Sequence, residues 1–294
     1  MCDQDTYEDA IAFQLRNKEL SRRQFGALGL GAGLVAMLPP VANAAEVTES
    51  EVEIKTPDGT CDAHFVHPAK GNAPAVLVWP DIFGLRPAFK QMGKRLAESG
   101  YAVLTINPFY RVKHAPTGAA TDFQDPAKRD GLIKMMQGLT AETNVTDAKA
   151  FIDWLDKQSA VDKKKKIGTT GYCMGGPLVF RTAAAVPNRV GGAATFHGGG
   201  LVTDKPDSPH LLIPKMKAQF LVAIAENDDK SDKMMPPSRD QLKTAFAANK
   251  LKAEVEVYTG SQHGWCPPDS GVYNMDLAEK AWARLLATWK TALV

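Results

Sequence analysis

The sequence predicts an α/β fold, a mostly parallel central sheet covered by helices on both faces. Three observations carry that expectation. Eight short runs rich in β-branched and aromatic residues recur along the chain, and helix-period segments separate most of them. No Ser/Gly-rich linker, long charge block or internal repeat divides residues 45–294, so they read as a single domain.

In chain order the strand-like runs are EVEIKT, CDAHFVHP, AVLVWP, YAVLTINP, KIGTTGYC, GGAATFHG, QFLVAIAE and AEVEVYTG. Helices are expected over 87–99, 141–157, 174–185, 239–249 and 275–292. Alternation of the two kinds of segment implies parallel strands joined by helical crossovers, with the first two runs forming an antiparallel hairpin that leads in. In such doubly wound sheets ligands bind beyond the carboxyl ends of the strands, so the residues just after each run receive the closest reading.

Of 294 residues, 44% are hydrophobic and 23% charged, a soluble globular balance; 35 basic against 33 acidic residues leave a net charge of only +2. That balance gives no reason to expect nucleic acid or anionic lipid as a partner and favours a small molecule. The four cysteines, at 2, 61, 173 and 266, lack C-x-x-C pairs or Cys/His spacing. Neither a zinc site nor a redox dithiol is expected, and no metal or organic cofactor is implied.

Residues 1–44 read as an address. Ser21, Arg22, Arg23 and Phe25 resemble the S-R-R-x-F core of a twin-arginine export signal; Gly26 stands where leucine often follows. A weakly apolar, glycine-rich stretch over 24–38 comes next, shorter than the roughly 20 residues of a spanning helix, and Ala42-Asn43-Ala44 ends it as a small-x-small cleavage site. The expectation is a periplasmic monomer, cut after Ala44, with the twin-arginine export machinery as a partner and no membrane anchor afterwards. The alternative is an uncleaved N-terminal helix that anchors the chain. Twin-arginine export carries folded proteins, so a reduced thiol can be built in before the chain meets an oxidising compartment.

Three strand ends carry chemistry. Cys173 follows IGTTGY and precedes a helix, with Gly171 and Gly175 two positions to either side and Gly176 beyond. A sharp strand-to-helix turn needs such small neighbours, and it lifts a nucleophile above the sheet. The helix dipole favours thiolate there, lowering a pKa of about 8.5 in free cysteine. The bland reading is a buried, inert cysteine. The run 220–225 stops before Glu226, Asn227, Asp228 and Asp229; Asp228 is preferred to Asp229 as the acid, against a merely solvated turn. VEVYTGSQHGW then delivers His263. Nucleophile, acid and histidine thus follow the chain order of α/β-hydrolases. The roles follow from charge: His263 moves the proton, Asp228 orients the imidazole, and the Met174 backbone N–H supplies one oxyanion donor. A second is expected from the loop after AVLVW.

With these residues placed, the chain resembles the dienelactone hydrolase (carboxymethylenebutenolidase) family over nearly all of residues 45–294. GYCMGG matches its G-Y-C-x-G-G elbow, and PDIFGL matches its E-I-F-G loop. The resemblance implies that Ile82 gives the second oxyanion amide and that Asp81 stands at the family's nucleophile-activating glutamate, one methylene shorter. It further implies hydrolysis of lactones or small esters through an acyl-thioester, dienelactone to maleylacetate being one such reaction. Pro267 occupies the position, four beyond the histidine, of an arginine that binds the dienelactone carboxylate. Arg111 and Lys113 are candidates to replace that clamp, or else are solvated loop charges.

Phe83 and Trp265 are candidate substrate contacts, and with Trp79, Phe109 and Tyr110 can wall an apolar pocket; plain core packing is the other reading of each. His197 ends a strand and can line the site or be structural. FHGGG at 196–200 lies after the nucleophile, where the lipase oxyanion motif does not belong, and DKKKK at 162–166 reads as a solvated loop. Cys266 is a candidate resolving thiol, and a Cys61–Cys266 bridge is a minor alternative. Two rival functions follow: a thiol redox or electrophile-scavenging protein using Cys173 with Cys266, and a ligand-binding protein on a decayed hydrolase scaffold.

Overall fold

The central strands form because their residues have both faces to bury. β3 (Ala75–Trp79), β4 (Ala102–Ile106), β5 (Ile167–Tyr172), β6 (Val190–Phe196) and β7 (Gln219–Ala225) are buried almost end to end. The computed structural model describes residues 38–230 and 238–294. The twin-arginine core at 21–25 and the apolar stretch up to 37 lie outside the described residues.

β1 (Val47–Thr56) and β2 (Gly59–Pro68) make the expected antiparallel hairpin, and β8 (Ala253–Tyr258) closes the far side. The strand order is β1-β2-β4-β3-β5-β6-β7-β8. β2 pairs antiparallel with β4, and every pairing from β4 through β3 to β8 is parallel. This is the α/β-hydrolase sheet. Both edges are charged, which discourages further strand pairing. On β1, Glu49 and Glu51 bind Lys94 and Lys90, each at 2.6 Å; on β8, Glu254 and Glu256 bind Arg284 and Lys280.

Seven α-helices lie among the described residues. α1 (Pro87–Glu98), α2 (Pro126–Gln137), α3 (Ala141–Leu155) and α4 (Gly175–Ala185) precede α5 (Glu226–Lys230), α6 (Ser238–Ala248) and α7 (Met275–Ala292). The Thr140 hydroxyl accepts from Thr143 N–H to cap α3, and the Asn274 side chain accepts from Leu277 N–H to cap α7. α7 then buries Ala281, Leu285, Thr288 and Trp289, spaced for one face. Trp289 lies over Gly192, where a Cβ would come within 2.7 Å of its ring, so the bare backbone makes room for the indole.

All eight expected strands and five expected helices are present. The sequence reading missed α2, which starts at an Asp125 cap whose side chain accepts from Ala127 and Lys128 N–H. It lies in the long segment between β4 and α3 and packs over the carboxyl ends of the sheet, where Leu132 joins Ile82, Phe109, Phe123, Cys173 and Met174 in one apolar cluster.

Candidate active site

β5 ends at Tyr172 and α4 begins at Gly175, so the chain reverses over two residues. Cys173 takes φ +53°, a left-handed conformation that costs an ordinary residue about 1–3 kcal/mol. Flanking glycines make the turn possible. A Cβ on Gly171 would stand 2.3 Å from the Gly175 carbonyl oxygen, one on Gly175 would stand 2.4 Å from the Trp79 carbonyl oxygen, and one on Gly176 would stand 2.6 Å from Thr195 Oγ1. The positive end of the α4 dipole lies at the elbow and favours an anion there.

β7 and β8 supply the charged partners. α5 places Asp228, 3% exposed, against His263, 6% exposed. His263 Nδ1 lies 2.8 Å from Asp228 Oδ2 and 3.0 Å from Oδ1. A carboxylate at Nδ1 accepts the hydrogen bond from Nδ1–H, which keeps the proton on that nitrogen and leaves Nε2 to exchange protons with a reacting group. Loop contacts hold the pair. His263 N–H donates to Asn227 Oδ1 at 2.8 Å, and Gly260 N–H donates to Glu226 Oε2 at 2.8 Å. Asp229 points elsewhere, to Arg239 on α6 at 3.3 Å.

The end of β6 joins these parts. Cys173 N–H donates to the Phe196 carbonyl at 3.0 Å, and the ring of His197 lies 5.1 Å from that of His263, edge to face. His197 is fully buried at φ +42°, and neither of its ring nitrogens has a hydrogen-bond partner among the described residues. Burial, with His263 adding to it, holds its pKa well below the ordinary histidine value, so the ring stays neutral.

Beyond β3, the turn Asp81–Gly84 is closed by Gly84 N–H donating to the Asp81 carbonyl at 2.9 Å. Within it Ile82 shares the apolar cluster of Cys173 and Met174. The amides of Ile82 and Met174 have no hydrogen-bond partner among the described residues, which is the condition an oxyanion donor needs.

Comparison with known proteins shows the family of the chain. The model of the dienelactone hydrolase family matches residues 61–293. The chain belongs to the dienelactone hydrolase family. It is 30% identical over 237 residues to a carboxymethylenebutenolidase of Pseudomonas putida, covering 80% of this chain and 93% of that one. A carboxymethylenebutenolidase of Rhodococcus opacus is 29% identical over 217 residues, 72% of this chain and 78% of that one. Among solved structures, a dienelactone hydrolase-like promiscuous phosphotriesterase from metagenomic libraries superposes with a TM-score of 0.68 at 19% identity, covering 84% of this chain and 99% of that one. The dienelactone hydrolase of Anabaena variabilis gives 0.58 at 17%, with the same coverage. As a member of this family the chain is a hydrolase of the ester and lactone kind.

Several candidates of the sequence reading lie elsewhere in this dienelactone hydrolase family member. Arg111 does not turn to the elbow: it is bound by Asp58 at the β1–β2 turn and by Asp147 on α3, at 2.5 and 2.8 Å. Lys113 is exposed. Trp265 is wholly buried, stacked on Tyr258 and edge-on to His197, so it backs the site from the core. Trp79 and Tyr110 belong to the main core, whereas Phe109 shares the Cys173 cluster and Phe83 packs against it. Asp81 is engaged by Arg86, which contacts both of its carboxylate oxygens at 2.6 and 3.0 Å. Burial lifts the Asp81 carboxyl above the usual aspartate value, while Arg86 pulls it back. Cys61 and Cys266 are free and buried, so neither the Cys61–Cys266 bridge nor a Cys173–Cys266 disulfide is present. Burial pushes the Cys266 thiol well above its ordinary pKa, which makes it a poor resolving nucleophile. Arg86 was missed altogether, because LRPAFK reads simply as the start of a helix.

Proposed function

We propose that this chain hydrolyses small carboxylic esters or lactones through an acyl-thioester on Cys173. The observation that carries the reading is the buried His263–Asp228 pair, set beside the end of β6 to which the Cys173 elbow is hydrogen-bonded. In the reduced enzyme His263 takes the thiol proton as sulfur attacks the carbonyl carbon. The oxyanion is met by the N–H groups of Met174 and Ile82. The C–O bond then breaks, the departing alkoxide takes the proton from His263, and the acyl group stays on sulfur. Water, deprotonated by His263, attacks the thioester; the carboxylic acid leaves and the thiol is restored. Asp228 orients the imidazole and balances its charge throughout.

Ile82, Phe109, Phe123, Leu132 and Met174 pack with Cys173 in one buried apolar cluster, so an acyl group on the sulfur would lie among apolar side chains, which suits a small apolar acyl group. The named reaction of the carboxymethylenebutenolidase relatives, applied to this chain, makes dienelactone the first lactone to test. Residues 1–44 are proposed to act as a twin-arginine signal that is removed after Ala44, leaving residues 45–294 as the periplasmic enzyme. Among the described residues no helix is long and apolar enough to cross a membrane. The test is turnover of dienelactone and of p-nitrophenyl acetate by the reduced protein. Cys173→Ala and His263→Ala each abolish both activities and Cys266→Ala keeps them; equal turnover by wild type and Cys173→Ala would refute the reading.

A further inference from the structure

One buried ion cluster lies between two loops of the site and is used by no step above. Arg86, the residue before α1, is 6% exposed and carries five N–H groups. All five are occupied. Nη1 donates to Asp81 Oδ1 at 2.6 Å and to the Gly84 carbonyl at 3.4 Å; Nη2 donates to Asp81 Oδ2 at 3.0 Å and to Asp269 Oδ1 at 2.9 Å; Nε donates to Asp269 Oδ2 at 2.6 Å. The rings of Phe83 and Phe89 flank the guanidinium at 5.3 and 4.8 Å.

The two carboxylates belong to different parts of the chain. Asp81 begins the turn that carries the Ile82 amide, and its Oδ1 also accepts Phe83 N–H at 3.0 Å, so fixing this carboxylate fixes the turn. Asp269 lies six positions beyond His263 in sequence, in a turn closed by Ser270 N–H donating to the Pro267 carbonyl at 3.0 Å. A planar fork that binds both carboxylates sets their distance and their relative angle, which a lysine point charge cannot do.

We infer that Arg86 is a positioning residue that bolts the oxyanion turn to the histidine loop through Asp81 and Asp269, so that the Ile82 amide and the His263 imidazole keep one fixed geometry. Asp81 thereby serves as the anchor of this bolt, with both its oxygens committed. Arg86 likewise has no N–H left for a substrate carboxylate. The inference rests on the reading of Cys173, His263 and Ile82 as the reacting site.

Because Arg86 acts through other groups, its loss falls on kcat and leaves substrate binding nearly as it was. The reduced wild type, Arg86→Lys, Asp269→Asn and Arg86→Ala are compared by steady-state kinetics on p-nitrophenyl acetate, by thermal unfolding, and by mass spectrometry of the acyl adduct on Cys173. Arg86→Lys lowers kcat about 100-fold and Asp269→Asn about 10-fold, with KM changed less than about threefold, the scale on which small misplacements act. Millimolar guanidinium, far below denaturing concentrations, raises the kcat of Arg86→Ala by about tenfold or more and does nothing for His263→Ala. Wild-type kcat in both Arg86→Lys and Asp269→Asn overturns the inference. So does a loss that guanidinium leaves untouched in a folded Arg86→Ala. Should Arg86→Ala not fold, the other two variants decide. If the wild type forms the Cys173 adduct while these variants behave as wild type, the bolt alone is wrong; if the wild type forms no adduct, the reading beneath it falls and takes the bolt with it.

Discussion

Gly171→Ala is the smallest change that acts on the elbow without touching a reacting group. Its new methyl would sit 2.3 Å from the Gly175 oxygen, 2.6 Å from the Gly175 carbonyl carbon and 2.8 Å from Val179 Cγ2. Ordinary contact begins near 3.4 Å, so the start of α4 must retreat by about 1 Å from the end of β5. Two of the three obstacles are backbone, and no rotamer change relieves them. Overpacking of this kind costs about 1–3 kcal/mol, and the stiffer unfolded chain offsets about 0.4–1 of that. The net loss is about 1–2 kcal/mol, or roughly 2–8 °C in Tm for a chain of this size. Catalysis should suffer more, about 100-fold, because the retreat displaces Cys173 from the Ile82 amide and from His263 together. The assay is ester turnover by the reduced protein beside thermal unfolding. Gly131→Ala, in α2 with nothing within 4 Å of the new methyl, is the control and should leave Tm the same or raised. A Gly171→Ala enzyme with wild-type kcat and Tm would refute the reasoning that the elbow's backbone geometry sets the nucleophile.

Asp228→Asn should lower kcat about 10²–10⁴-fold with little change in KM, since an amide cannot hold the imidazole in the tautomer that leaves Nε2 unprotonated; steady-state kinetics across pH checks this, and near-wild-type turnover speaks against Asp228 as the orienting acid. His197 is buried neutral, with its pKa held well below 6.5. The unfolded chain therefore binds a proton below about pH 6.5 that the native ring refuses, and native stability falls as pH falls through that region by up to about 1.4 kcal/mol per pH unit. Urea midpoints at pH 7.5 and 5.5 should show His197→Phe losing about 1.4 kcal/mol less than wild type over that interval, and equal losses would place the ring's pKa near its ordinary value. Leu132→Ala opens the acyl side beneath α2 and should raise the ratio of butyrate to acetate ester turnover about tenfold, the scale of a methylene in an apolar pocket; an unchanged ratio would mean that the acyl group lies elsewhere.

How much of this was legible follows from the range of each interaction. The elbow could be read because its requirement is local: glycines two positions either side of Cys173 answer to backbone collisions within the same turn. Asp228 and His263 could be read because each follows the end of a strand, and Asp228, preferred to Asp229 in the sequence, is the one that meets His263, while Arg239 takes Asp229. α2 escaped because its apolar positions make no continuous stripe, yet Asp125 before Pro126 is a cap signal that was there to be used. Arg86 could not be read, since Asp269 lies 183 positions away and nothing local distinguishes a bound guanidinium from a solvated one. Arg111 failed for the same reason in reverse: its partners, Asp58 and Asp147, are brought to it by the fold.

The central claim is that the sulfur at position 173 becomes covalently acylated during turnover. Brief exposure of the reduced protein to a slowly hydrolysed ester, followed by rapid acid quenching and peptide mass spectrometry, tests it most directly. One acyl group is expected on the peptide carrying Cys173, formed and lost at rates consistent with turnover, and none on Cys61 or Cys266. Turnover with an unmodified Cys173, or with the acyl group on another residue, would contradict it.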